Sequence, residues 1–504
     1  MNLFRSSKEA ARNQNNNGEK EGLIDKTVHF WQWYLWILRE ARIVDTSYTV
    51  KGCYVWLDWG YALFDKIYRL AQAGYQQANH QQMQFPTLLK EATFQKESEF
   101  IRDFGDDVFW VERTGTTALN QGERLALRPT SELIIYPMFA NWIRSWRDLP
   151  VKIFQNVNIF RCETNETRPL IRNRETIGFI EGHSAFATEQ EAREFLTTIW
   201  KIYQNICQQL GIPVKLVQVP AWDRFAGSSL TVDGYVILPG SKSMELFTTA
   251  YLGTTFSKIF DIQYLDDQEQ KQLAHLLCYG PSIDRILASI ISLYGDNRGL
   301  VLLPSITPVD IIIIPIFNQQ NKKKILAYAE KIKLELEKTG FRVQLNDDDT
   351  TTPGTKFYQA ERFGIPIRLE LGEKELTKQT VTLCRRDTLK KQTIKQSQTD
   401  LKQTLRQTLE EMEETMKKKV RDNFTERVID LGHYTSLTKL LAEVSLQQDR
   451  MYLVGWCSSQ NCAKIIEGQT NFNVLGIDMD NKQKEQECLV CGKKGKIAVV
   501  AKRY

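Results

Sequence analysis

The chain has 504 residues, 42% of them apolar and 25% charged, and Lys plus Arg outnumber Asp plus Glu by only 66 to 61. That balance excludes a disordered or collagen-like chain and a histone-like polycation, while the length suits about two to four domains with real cores. No run approaches the ~18 apolar residues of a membrane-crossing helix, so a soluble protein acting in the cytoplasm, with no membrane partner, is expected.

Residues 1–22 (MNLFRSSKEAARNQNNNGEKEG) have neither an apolar core nor a cleavage site. They are predicted to be a disordered polar tail rather than a signal peptide. Between residues 24 and 43, Val28, Phe30, Trp31, Tyr34, Leu35 and Leu38 recur at helical spacing on most sides, which predicts a buried helix. The stretch 48–303 mixes helical patterns with short alternating strands, 151–160 and 230–238 among them. This predicts an α+β region with an antiparallel sheet. Residues 305–308 (SITP) look like a linker.

A different rhythm follows. Strands at 309–317, 341–345, 365–371 and 380–384 alternate with helices at 322–338 and 356–363, which predicts a small α/β domain with a mostly parallel sheet. A long charged helix over 400–423 leads into a cysteine-bearing module. The predicted boundaries are 1–22 tail, 23–305, 306–400 and 401–504.

Five of the nine cysteines, Cys53, Cys162, Cys207, Cys278 and Cys384, are scattered singly and read as core or incidental thiols. The other four form two close pairs, Cys457-x4-Cys462 and Cys488-x2-Cys491, with 25 residues between. Two such pairs supply the corners of a tetrahedral four-thiolate zinc site. Four unrelated thiols and a redox pair are the alternatives. With no fifth ligand evident, the metal is structural.

A second constellation joins LRPTSE (127–132) to FRCET (160–164) and TRPLIRNRE (167–175). Arg161 and Glu163 are two apart on a strand and share a face. An arginine there offers paired donors to a phosphate, and Arg168, Arg172 and Arg174 follow in a loop fit to grip a polyphosphate. A surface cluster of salt bridges is the competing reading.

These motifs, with EGHSAFAT (181–188), LGTTFSKIFDI (252–262), GDNRGLVLLP (295–304) and LCRRD (383–387), resemble the class II aminoacyl-tRNA synthetases. Among those, the chain is similar to the prolyl-tRNA synthetases of archaeal and eukaryotic type, from about residue 24 to residue 504. The resemblance implies an antiparallel-sheet catalytic domain, an α/β anticodon-binding domain and a small zinc-binding α/β C-terminal domain. It implies a homodimer with Pro86 at its interface, ATP and Mg2+ in activation, structural Zn2+ on Cys457, Cys462, Cys488 and Cys491, and proline and tRNA(Pro) as substrates.

Residue by residue, the resemblance places Arg161, Glu163 and Arg285 in catalysis. ATP falls to Arg161, Glu163, Arg172, Glu245, Thr248 and Arg285. The amino acid falls to Thr130, Glu132, Arg161, Phe179, His183 and Phe225, and tRNA to Glu361, Arg385 and Arg386. The chain departs from the family at Ala250, at Thr254-Thr255 and at Gly227–Thr231, and Pro281 is an extra residue. Asp347-Asp348-Asp349 stand where arginines are common and read as a solvated loop. From these departures comes the alternative of a synthetase paralog that adenylates another small amino acid or uses a non-tRNA acceptor. A non-catalytic tRNA-binding derivative is a third reading, weakened by the retained phosphate-binding arginines.

Overall fold

The computed structural model describes residues 24–94, 107–119, 124–162, 166–240, 242–432 and 436–504. The expected N-terminal tail and Glu163 lie outside these. Among the described residues no helix is long and apolar enough to cross a membrane.

Two compact units divide the chain, one built on residues 64–289 and 421–504, the other on 290–420 with 56–63 and the residues before 46. In the first, alternating side chains form β1 (Gln81–Gln82), β2 (Val151–Phe160), β3 (Glu175–Phe186), β4 (Lys215–Gln218), β5 (Leu230–Ile237), β6 (Ser243–Gly253) and β7 (His275–Pro281). They lie in the order β4-β5-β6-β7-β3-β2-β1, antiparallel except for β1 on β2. Over one face lies the helix Glu189–Gln209, which opens on a Thr188–Glu191 capping box and buries Leu196, Ile199 and Tyr203. The other face packs Ile153, Ala185, Ala250 and Leu276 with Tyr136 and Phe139 of the helix Glu132–Trp142 and with Phe256.

In the second unit the helix Phe30–Glu40 buries one face only. Trp33, Tyr34, Ile37 and Leu38 are fully buried while Leu35 is half exposed, so the all-round burial expected of it is replaced by an apolar stripe. Within the stretch read as a linker Ser305 is exposed, but Thr307 is at 0% exposure and Ile306 at 4%.

The sheet of this unit comprises β8 (Ile311–Pro315), β9 (Val343–Leu345), β10 (Ile367–Leu371), β11 (Thr380–Arg385) and β12 (Lys391–Lys395), in the order β9-β8-β10-β11-β12. Only the β8 pairings are parallel; β10-β11 and β11-β12 are antiparallel. The expected mostly parallel sheet is therefore mixed. The reason is local, since the few residues joining β11 to β12 are too short for a crossover and permit only a hairpin.

The chain then returns to the first unit. β13 (Val428–Asp430), β14 (Met451–Trp456), β15 (Asn473–Asp478), β16 (Glu485–Glu487) and β17 (Lys494–Ala501) extend the first sheet to twelve strands. They run β13-β14-β17-β15 and continue into β4, with β16 on β17. The junction pairs Val217 with Asp478 and Gln218 with Ile477. Beneath it Val217, Tyr235 and Ile237 share one apolar cluster with Met451, Leu475 and Val499, and Lys215 bridges Asp478 at 2.9 Å and Asp480 at 2.8 Å. The C-terminal module is thus an extension of the first sheet.

Candidate active site

A pocket opens over β3, β5, β6 and β7, and eight of the site residues read from the sequence line it: Thr130, Arg161, Arg172, Phe179, Phe225, Glu245, Thr248 and Arg285. One end is basic. Arg161 leaves β2 with its Nε donating to the Pro129 carbonyl at 3.1 Å. Arg172 sits at the base of a tight turn in which Arg168 and Arg172 exchange backbone hydrogen bonds of 2.9 and 2.8 Å. Arg285 donates from Nε to the Ile171 carbonyl at 3.1 Å and from Nη1 to the Glu245 carbonyl at 3.1 Å, tying that turn to β6. Burial, with Arg168 and Arg172 nearby, lowers the Lys242 ammonium from its usual range.

The wall beside this end is acidic. Asp233 on β5 faces Thr248 on β6 in register, accepts from the Thr248 hydroxyl at 2.6 Å and from the Tyr235 hydroxyl at 3.2 Å. Burial first, then the neighbouring Glu245, push its carboxyl well above the carboxylate range. Asp284 is pushed up to about 7 by burial, against the pull of the Asn173 amide that donates to it at 2.9 Å. Neither aspartate was anticipated. The alternation along 230–238 marks which face Asp233 takes but not what lies there.

The far end of the pocket has an aromatic and carboxylate floor. Phe179, Phe225, Glu181, Thr130 and Cys278 line it. Glu132 and His183 stand behind that lining, both at 0% exposure. Thr130 donates to one Glu132 oxygen, and the Cys278 thiol donates to the other at 2.7 Å. His183 on β3 faces Cys278 on β7; its Nδ1 lies 3.2 Å from the Tyr136 hydroxyl, and burial lowers it to about 4, so the ring is neutral. Glu181 accepts from Gln155 at 3.0 Å, and burial followed by the charge of Glu132 raises it to about 7. One expectation changes here, since His183 does not line the pocket, and Cys278, which packs against the apolar core, also reaches the pocket. A lone cysteine carries no local signal, because its strand partners are distant in sequence.

Of the departures, Thr231 lines the pocket and others pack away from it. Ala250 is 1% exposed and packs in the apolar cluster under the sheet. Ser229 is held by two hydrogen bonds to the Tyr251 carbonyl, and Thr231 accepts from the Phe225 amide at 3.3 Å. Pro281 ends β7 opposite Phe247.

Elsewhere in this unit the four thiols of Cys457, Cys462, Cys488 and Cys491 lie within 4.8 Å of one another, with Cys491 Sγ 3.6 Å from Cys457 Sγ. A tetrahedral zinc thiolate places its sulfurs about 3.8 Å apart, so the set fits that ion. Gly492 closes the second pair at φ 71°, in the left-handed region that glycine enters without strain.

The residues expected to meet tRNA lie in the second unit, committed to internal pairs. Arg386, 3% exposed, donates to both Asp296 oxygens at 2.8 and 2.6 Å and to the Glu361 carbonyl at 2.9 Å. Glu361 accepts from Arg298 at 2.8 Å and Arg368 at 3.0 Å. Both side chains are thus held by partners within their own unit, Asp296 and Arg298 among them. Arg385 is partly exposed, with Asp387 at 2.8 Å. Of the acidic triplet, Asp348 accepts from Thr350 and Thr351 and Asp349 pairs with Lys322, as a solvated loop does.

Comparison with known proteins follows the same division. The chain matches the tRNA synthetase class II core domain (G, H, P, S and T) over residues 109–294, the anticodon binding domain over 310–408 and the prolyl-tRNA synthetase C-terminal family over 442–504. It is 38% identical over 479 residues to the proline–tRNA ligase of Methanopyrus kandleri, covering 95% of this chain and 96% of that one. To the proline–tRNA ligase of Methanococcoides burtonii it is 36% identical, covering 96% and 99%. The structure of Giardia lamblia prolyl-tRNA synthetase in complex with prolyl-adenylate superposes with a TM-score of 0.89 at 32% identity, over 96% of this chain and 100% of that one.

Proposed function

This chain belongs to the prolyl-tRNA synthetase family, and from that premise we propose how its pocket works. The activity is ATP-dependent activation of proline and charging of tRNA. One observation carries the residue assignments: a single pocket is lined by Arg161, Arg172 and Arg285 and also by Phe179, Phe225 and Glu181, with Glu132 buried behind that lining. Polyphosphate and a small ammonium acid fit those two ends in one orientation only.

In this reading Arg161, at the basic end, holds the α-phosphate and the substrate carboxylate as they approach. Arg172 and Arg285 neutralise the outer phosphates. Phe179 and Phe225 flank the proline ring. Thr130 and Cys278 hold the Glu132 carboxylate, which together with Glu181 supplies negative charge for the secondary ammonium. Positioning and charge neutralisation suffice, since the carboxylate is itself the nucleophile.

Asp233 and Glu245 fit a magnesium ion. Burial first and then the neighbouring Glu245 charge raise Asp233, and a divalent cation between the two carboxylates would offset their repulsion. Such an ion screens phosphate charge when bound. The four thiols would hold a structural zinc that tethers the β16–β17 hairpin to the helix Gln460–Thr470. A homodimer through the Pro86 segment, a cytoplasmic setting and contact of Arg385 with the tRNA backbone complete the reading; the resemblance at those positions supports them.

The test is amino-acid-dependent ATP–pyrophosphate exchange with all twenty amino acids and no tRNA. Proline alone should rise above background. A different amino acid in first place would defeat the pocket assignment.

A further inference from the structure

The four-thiolate cluster is not the only place where metal-binding side chains meet. Among the described residues a second set, Glu132, His183 and Cys278, brings a carboxylate oxygen, an imidazole nitrogen and a thiol sulfur within 4.8 Å of one another, all three residues being buried or nearly so at the pocket floor. Around a zinc ion with bonds of about 2.0–2.3 Å, three such donors stand roughly 3.3–3.7 Å apart. The Cys278–Glu132 separation of 2.7 Å is shorter than that, so small side-chain rotations would open the set to the ion.

Two further observations point to a ligand here. His183 is fully buried and its Nε2 makes no hydrogen bond, which leaves a desolvated nitrogen without a partner. Its other nitrogen faces the Tyr136 hydroxyl at 3.2 Å. A histidine ligand is oriented in the same way, by a hydrogen bond to one of its two nitrogens. Glu132 is likewise steadied from behind by the Thr130 hydroxyl. Mixed sulfur, nitrogen and oxygen donors suit zinc or cadmium and disfavour magnesium or calcium, which take oxygen ligands.

We propose that Glu132, His183 and Cys278 form a second metal site, for an ion of the zinc class, whose occupancy excludes the amino acid from the pocket. Exclusion follows from shared groups. Cys278 lines the pocket itself, and an ion on the Glu132 carboxylate takes the charge that the amino acid's ammonium needs. The naming of the competitor rests on the function proposed above; the site itself does not.

The experiment is metal stoichiometry on the full chain after equilibrium dialysis against zinc, read by elemental analysis, for the native chain, Cys278→Ser and Cys488→Ser, with and without saturating proline. The native chain should bind two zinc ions and each variant one. Saturating proline should lower the native value to one. Cobalt(II) in place of zinc gives a second reading, because the sulfur-to-metal absorption assigned to this site should vanish in Cys278→Ser and in His183→Gln while near-ultraviolet circular dichroism stays native. One ion in the native chain, or equal stoichiometry in the native chain and Cys278→Ser, overturns the site. Two ions retained in saturating proline overturn the exclusion. Proline-dependent pyrophosphate exchange on zinc-free protein tests the function separately, so the two readings fail independently.

Discussion

At the scale of single residues, the pocket separates groups that act by charge from groups that act by being denied water. Arg161, which lines the pocket and is proposed to meet phosphate and carboxylate, is of the first kind. Arg161→Ala should reduce pyrophosphate exchange by roughly two to three orders of magnitude, the usual loss when one donor to a developing charge is removed; near-native exchange would show that the arginine is misassigned. Asp284 is of the second kind. Burial raises its carboxyl from the ordinary 3.8 to about 7, so between those limits the folded state holds a proton that the unfolded state has released. Stability from this group is therefore full below pH ~4, declines as the pH rises towards 7 and is flat above that. Asp284→Asn, which carries no buried charge, should gain on the native protein by a few kcal/mol between pH 5 and pH 8 in urea unfolding. A constant difference at both pH values would contradict it.

At the scale of elements, the hairpin that carries Cys488 and Cys491 has more to support than its length suggests. β17, which it feeds, lies between β14 and β15 in the extended sheet and also carries β16. Cys488→Ser should lower bound zinc by one equivalent and depress the melting temperature by several degrees, while proline activation persists below the new transition. Unchanged metal content would disprove the four-thiolate assignment. Elements were also where sequence reasoning reached furthest. The strand Val151–Phe160 and the helix Lys322–Glu337 declare themselves by alternation and by 3.6-residue periodicity. Strand β12, with four of its five residues exposed, has no buried face to write a pattern. Glu132 and His183 were found through motifs, yet their depth behind Cys278 was not, because depth depends on which strand pairs with which. The same holds for Arg386: a motif names it, but only the structure shows its pairing with Asp296.

For the whole molecule, the joined sheet makes the two ends of the chain's catalytic unit interdependent. A chain ending at residue 440 should leave β4 as an open edge and strip Val217, Tyr235 and Ile237 of their cover. Exposed edges and apolar patches associate. Such a fragment should elute as aggregates in size-exclusion chromatography, whereas a soluble monomer with native circular dichroism would show that the first seven strands suffice. The pairing of Val217 with Asp478 joins residues about 260 positions apart. During synthesis the β4 edge must therefore wait, unpaired, for the translation of most of the remaining chain. Its protection in that interval falls to chaperones or to the speed of the ribosome, and the yield of active protein in cells should depend on both.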